Sequence, residues 1–168
     1  MKAPSLIVRA ALTVACLLSV LPATAQTLLL VVRERADAEP LPPPLAVREG
    51  ISGSLFDAGF IVLDAPGSAP VPGPAELARL ARSAGAEIVL EVATEYADIP
   101  LGTDLVRISA RTSYALIDSS TSGIVAQGTR EATNKDRERE VGRAALGNEI
   151  GKDVAALVKK ALDRSPAR

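Results

Sequence analysis

The side chains that could do chemistry here are almost all carboxylates and guanidiniums. The 168 residues hold 19 Lys and Arg, 20 Asp and Glu, one Cys and no His. Without His there is no His-based triad, no His general base and no His metal ligand. One Cys makes neither an internal disulfide nor a CxxC site. The hydroxyl-rich run Asp118-Ser119-Ser120-Thr121-Ser122-Gly123 has no His to activate a Ser and no Ser-x-x-Lys partner, so it reads as a turn. Asp57, Asp64 and Asp98 fall near predicted strand ends but lack the dense ligand spacing of a metal site. Gly50-x-x-Gly53 lies inside a helical pattern, not at a strand-to-helix phosphate turn, and reads as close helix packing. The sequence therefore predicts no catalytic residue, no cofactor and no metal.

One charged constellation remains. Glu87, Glu91 and Glu95 share the parity of one strand pattern, and Arg107 and Arg111 share that of the next. Gln127 and Glu131 follow on a third. If these strands pair, Glu91, Glu95, Arg107, Arg111, Gln127 and Glu131 form one candidate binding face. Such a face suits an anion or a peptide. It is equally a solvated charge ladder, because exposed pairs are common and weak.

The strands that carry it follow an address segment. Lys2 and Arg9 precede an apolar run over residues 10–21, and Pro22 and Ala23-Thr24-Ala25 follow. That is the grammar of a signal peptide over residues 1–25, with cleavage after Ala25. Thr13-Val14-Ala15-Cys16 is a poor lipoprotein box, since Thr replaces the usual Leu and little apolar sequence separates Arg9 from Cys16. The expectation is export to the periplasm without a lipid on Cys16. Removing 25 of 168 residues leaves 143, and losing Lys2 and Arg9 leaves 17 basic against 20 acidic groups, a net charge of −3. A mildly acidic domain is a poor partner for nucleic acid. No later apolar run approaches the length of a membrane span.

Residues 26–168 read as a single α/β (α+β) domain. Residues 27–32 (TLLLVV) suit a strand buried on both faces. A Pro-rich loop is predicted over 35–44. A helix follows over 45–58, with Val47, Ile51 and Leu55 on one face and Gly59 at its end. Residues 60–63 form the second strand. Pro74 opens a second helix, with Leu77, Leu80, Ala81 and Ala84 as its stripe and Gly85 closing it. Residues 88–92, extending towards Tyr96, form the third strand, and 97–104 a loop. Strands over 105–117 and 124–133 flank the turn. A helix runs from 136 to 163 on a stripe of Leu146, Ile150, Val154, Leu157 and Ala161, and 164–168 is a flexible tail. The order is β-α-β-α-β-β-β-α. It predicts one mixed sheet of about five strands, with helices mainly on one face. Alternation in the last two strands favours a hairpin that sets Asp118 opposite Ile124, Tyr114 opposite Gly128 and Arg111 opposite Glu131.

The phrases LFDAGFIVLDA (55–65), LARLARSAGAEIVLEVA (77–93) and YALIDSSTSGIVAQGT (114–129) carry a resemblance. In this order they are similar to the small periplasmic domain of the TolB amino-terminal type. The curli-secretion lipoprotein CsgG and the penicillin-binding-protein activator LpoB share that architecture. The matching turns here are Ala58-Gly59-Phe60, Gly85-Ala86, and Ile117-Asp118 with Gly123-Ile124. The sequence departs from the relatives in lacking a convincing lipidated Cys, a β-propeller and a pore-forming insert. The resemblance implies a non-enzymatic envelope role, binding another envelope protein or peptide through a sheet edge or the polar face. The alternative is a small-ligand binding protein. Its cleft would lie at the C-terminal ends of the parallel strands, near residues 33–35, 64–67 and 94–98.

Overall fold

Leu28, Leu30 and Val32 are buried on one face of the first strand and Leu29 and Val31 on the other. This strand, β1 (Thr27–Ala36), is the centre of the fold in a computed structural model that describes residues 25–37, 39–41, 45–65, 72–102, 105–136 and 138–164. The predicted signal segment up to residue 24, with Cys16, and the tail from 165 lie outside the described residues. The strand continues past Val32 because Glu34 and Ala36 keep the inward parity. The predicted loop over 35–44 therefore begins later, and its residues Glu39–Pro40 form a two-residue strand, β2.

One edge of β1 pairs parallel with β4 (Ile88–Pro100). The other pairs parallel with β3 (Ile61–Asp64) and antiparallel with β2. Antiparallel β5 (Val106–Asp118) and β6 (Ile124–Asp136) complete a six-stranded mixed sheet. Both β4 and β6 outrun their predicted ends, so the loop expected over 97–104 is shorter. The β5–β6 register sets Tyr114 opposite Gly128 and Arg111 opposite Glu131, as the alternation predicts. A bulge then shifts the last pair, so Ile117 rather than Asp118 faces Ile124. Asp118 instead holds the turn. Its Oδ1 accepts the backbone N–H groups of Ser120 and Thr121, each at 2.9 Å.

Three helices pack on this sheet: α1 (Ala46–Asp57), α2 (Pro74–Ser83) and α3 (Arg139–Arg164). α1 and α3 cover one face, where Val47, Ile51, Leu55, Leu146, Ile150 and Val154 join the main core. α2 lies on the opposite face, setting Leu77, Ala78 and Ala81 against Leu29, Val31, Val89 and Ile117. The reversal follows from sheet order. β3 and β4 flank β1 on opposite sides, so two right-handed crossovers must place their helices on opposite faces. Two stripes also differ from the prediction. Ala78 rather than Ala84 faces the sheet, and Val158 is buried where Leu157 is half-buried.

α1 and α3 touch backbone to backbone. A Cβ added at Gly151 would stand 2.4 Å from the Val47 carbonyl oxygen, and one at Gly50 would stand 2.6 Å from that of Asn148. Close packing at Gly50 is thus as read from sequence, whereas Gly53 faces open space. The C-terminal ends of α1 and α2 are as predicted, whereas α3 begins at Arg139 rather than at 136 because β6 runs on to Asp136. Gly59 and Gly85 take φ of +87° and +75°, which side chains with a Cβ rarely adopt.

Candidate functional site: the open face of the sheet

α2 packs against β1, β4 and β5 residues near its own end of the sheet, and among the described residues nothing covers the rest of that face. Parity decides what it shows. Arg33 and Arg35 continue the Leu29 and Val31 side of β1, and Glu91, Ala93, Glu95 and Ala97 continue that of Val89. Ser113, Arg111 and Ser109 follow on β5, then Gln127, Thr129, Glu131 and Thr133 on β6.

Pairing aligns these residues in rows. Arg35, Glu95, Arg111 and Glu131 stand side by side on four successive strands, with alternating charge. Arg111 Nε lies 3.2 Å from Glu131 Oε1, and both side chains are about 70% exposed, at 71% and 70%. A pair so exposed contributes little stability. The neighbouring rows frame a shallow depression of about 480 Å³ lined by Arg33, Glu91, Ala93, Ser113, Gln127 and Thr129, among others. Arg33 Nη2 donates to Glu91 Oε1 at 2.6 Å, and this pair is only 29% and 21% exposed. Arg33 Nε is buried and has no hydrogen-bond partner among the described residues. A second depression of about 520 Å³ takes in Arg35, Asp37, Glu95, Ser109, Arg111 and Glu131.

Of the six residues read from sequence, Glu95, Arg111 and Glu131 share one row. Glu91 and Gln127 line the first depression, with Glu91 held by Arg33 rather than by an Arg of β5. Arg107 is set apart. It stands opposite Ile99 and Lys135, four residues before Arg111 on β5, because the hairpin closes only after Pro100. Glu87 precedes β4 and joins the sheet through its backbone, donating to Thr27 O and accepting from Ser119 N. Sequence reading placed Arg33 and Arg35 in the alternative ligand cleft and not on this charged face. Extending the parity of Leu29 and Val31 by two further residues would have placed them on it.

On the opposite face a polar row runs through the core. Glu34, Thr94 and Thr112 are buried in adjacent strands, and Thr94 Oγ1 and Thr112 Oγ1 share a hydrogen bond of 2.8 Å. Glu34 Oε1 accepts the backbone N–H groups of Val47 at 2.8 Å and Arg48 at 3.4 Å. Leu45, at the N-cap of α1, offers no side-chain acceptor, so a strand residue caps the helix in its place. Tyr96 donates its hydroxyl to Glu34 Oε2 at 2.9 Å. Burial raises the Glu34 pKa above 4.5, although these three hydrogen bonds oppose the shift. Burial first, and the nearby Glu34 carboxylate second, push the Tyr96 phenol up.

The Asp residues weighed as metal ligands are placed otherwise. Asp64 Oδ2 lies 2.5 Å from Arg48 Nη2. Asp98, whose side chain is 5% exposed, receives both Nε and Nη2 of Arg143, with Arg139 Nε 3.6 Å away. Among the described residues no three His, Cys, Asp or Glu side chains gather as metal ligands would. Of the residues expected to form a ligand cleft, Arg35, Glu95 and Ala97 line the second depression, whereas Glu34 turns into the core and Asp64 pairs with Arg48; residues 66–67 lie outside the described residues.

No family model matches the chain, and no curated protein does. Solved structures do share the fold. Protein CT253 from Chlamydia trachomatis superposes with a TM-score of 0.57 at 16% identity, covering 82% of this chain and 98% of that one. PelC from Paraburkholderia phytofirmans, crystallised as a dodecamer, superposes at 0.54 with 19% identity, over 77% of this chain and 84% of that one. Protein XCC0632 from Xanthomonas campestris superposes at 0.52 with 12% identity, over 85% and 91%. At such identities the likeness is one of fold: a single mixed sheet flanked by helices, found in bacterial proteins. No described helix is long and apolar enough to cross a membrane.

Proposed function

We propose that this protein is an exported, non-enzymatic accessory domain of the bacterial cell envelope that binds another envelope protein across the open face of its sheet. The observation that carries this reading is the row Arg35, Glu95, Arg111 and Glu131 beside the half-buried Arg33–Glu91 pair. A bare sheet face with ordered alternating charge fits an extended, polar partner segment. The signal-peptide grammar of residues 1–25 supports export to the periplasm as a single domain from Gln26. The resemblance to TolB-type, CsgG and LpoB domains and the shared fold with PelC point the same way.

Site-specific photocrosslinking in the producing cell tests it. Probes at Gln127 and Thr129 are expected to trap one reproducible envelope protein, and a probe at Lys152 on the outer side of α3 is not. Equal capture from all three positions, or none from the face, would sink the reading. Cell fractionation with intact-mass measurement checks the address: a chain starting at Gln26 is expected in the periplasmic fraction.

The second depression favours one alternative, a small polar ligand held between Arg35, Glu95 and Arg111. A metabolite that raises the melting temperature of the wild type but not of an Arg35→Ala variant would establish it.

A further inference from the structure

β6 ends the sheet. β5 pairs one side of it, and among the described residues no strand pairs the other. At 13 residues it is a long free edge, and such an edge is a template for one more strand. Its second half carries charge in an order that inverts when read backwards. Outward from Thr133, Ala132 mirrors Asn134, Glu131 mirrors Lys135, and Arg130 mirrors Asp136.

We propose that β6 pairs antiparallel with β6 of a second copy of this chain, about a two-fold axis through Thr133, joining two sheets into one. Residues opposed in an antiparallel pair lie on the same face. Each Arg130 then meets the second copy's Asp136 on the face that bears α3. Each Glu131 meets the second copy's Lys135 on the open face. Both faces gain opposite-charge contacts, and the backbone edges supply the hydrogen bonds.

The same charges reject neighbouring registers. An axis at Arg130 sets Arg130 against itself, and an axis at Glu131 sets Glu131 against itself. An axis at Ala132 forms no opposite-charge pair. Of the axes at Arg130, Glu131, Ala132 and Thr133, only that at Thr133 forms opposite-charge pairs, and those at Arg130 and Glu131 are penalised. The edge is accessible at its centre: the Arg130 and Glu131 side chains are 49% and 70% exposed. Their present partners, Asp153 at 3.5 Å and Arg111 at 3.2 Å, are exposed too and leave both groups able to reach a second strand. Asp136 Oδ1 accepts the Glu138 N–H at 3.2 Å. The pairing shares Glu131 with the row on the open face, so it is read from the purified protein with no partner present.

Sedimentation equilibrium on the purified protein tests it. The wild type is expected to form dimers. Lys135→Glu places like charges opposite Glu131 at two symmetric points and is expected to weaken the dimer roughly tenfold. Its fold should persist, because Arg107 stands opposite position 135 within the chain. Adding Glu131→Lys restores the opposite-charge pairs and is expected to restore the dimer. In a Cys16→Ser background, Thr133→Cys should oxidise to a covalent dimer, and Thr129→Cys should not. A monomer at every concentration, or a dimer indifferent to Lys135→Glu, or no crosslink through position 133, would overturn the proposal.

Discussion

Tyr96 and Glu34, 62 residues apart in sequence, meet in the core through a 2.9 Å hydrogen bond from the phenol to the carboxylate. The same carboxylate caps α1, so one strand side chain ties β1, β4 and the helix between β1 and β3 together. Its chemistry sets a pH dependence. Glu34 has a raised pKa in the fold, so between 4.5 and that raised value the folded state holds more protons than the unfolded chain. Stability from this group is therefore greatest below 4.5 and is lost as pH rises through the folded-state pKa. Glu34→Gln keeps an acceptor for α1 and has no charge to bury. Denaturant titrations across weakly acid to neutral pH should show the wild type losing stability relative to this variant as pH rises. A difference that stays flat, or grows in the other direction, would refute the assignment.

Tyr96→Phe removes the donor and leaves Glu34 Oε2 buried without it. At neutral pH this should cost about 1–2 kcal/mol, read from the urea midpoint at unchanged slope.

The α1–α3 contact admits no Cβ at two positions. Gly151→Ala would press a methyl into the backbone of Val47 and Gly50, and Gly50→Ala would press one into that of Asn148. Each should destabilise by about 2–3 kcal/mol, since backbone cannot swing aside as a side chain can. Gly53→Ala is the control. It faces open space on the same helix and should stabilise by roughly 0.5–1 kcal/mol. Equal effects at all three sites in thermal melts would contradict the close crossing.

Asp98 anchors the first turns of α3 through Arg139 and Arg143. Asp98→Asn keeps the shape but loses the charge that holds two guanidiniums. Amide exchange over residues 139–146 should speed up by an order of magnitude or more, with little change in α1, a loss of roughly 1–2 kcal/mol locally.

The row on the open face predicts the opposite separation. Arg111→Glu sets like charges beside Glu95 and Glu131, yet all are exposed enough that stability should fall by less than about 1 kcal/mol. Crosslinking from Gln127 to a partner should nonetheless drop sharply. A variant that unfolds, or that crosslinks as well as the wild type, would remove the row from the binding surface.

Much of the architecture was legible along the chain because its signals are local. Period-2 alternation sorted β5 and β6 into an inner and an outer side. Gly59, Gly85 and Pro74 marked helix ends through backbone freedom or its loss. The charge match of Arg111 with Glu131 selected the hairpin register. What the tertiary structure decided were the encounters between distant residues. Strand order placed β3 and β4 on opposite sides of β1, and that sent α2 to the far face and left the rest of it bare. Parallel pairing of β1 with β4 brought Arg33 to Glu91, 58 residues away, where sequence reading had matched the Glu residues to β5. Folding α3 back over α1 turned Gly50 and Gly151 into a backbone contact. Local periodicity reports which side of an element is buried. It carries no record of which other element does the burying, and the Glu34–Tyr96 pair and the open charged face both arise from that second choice.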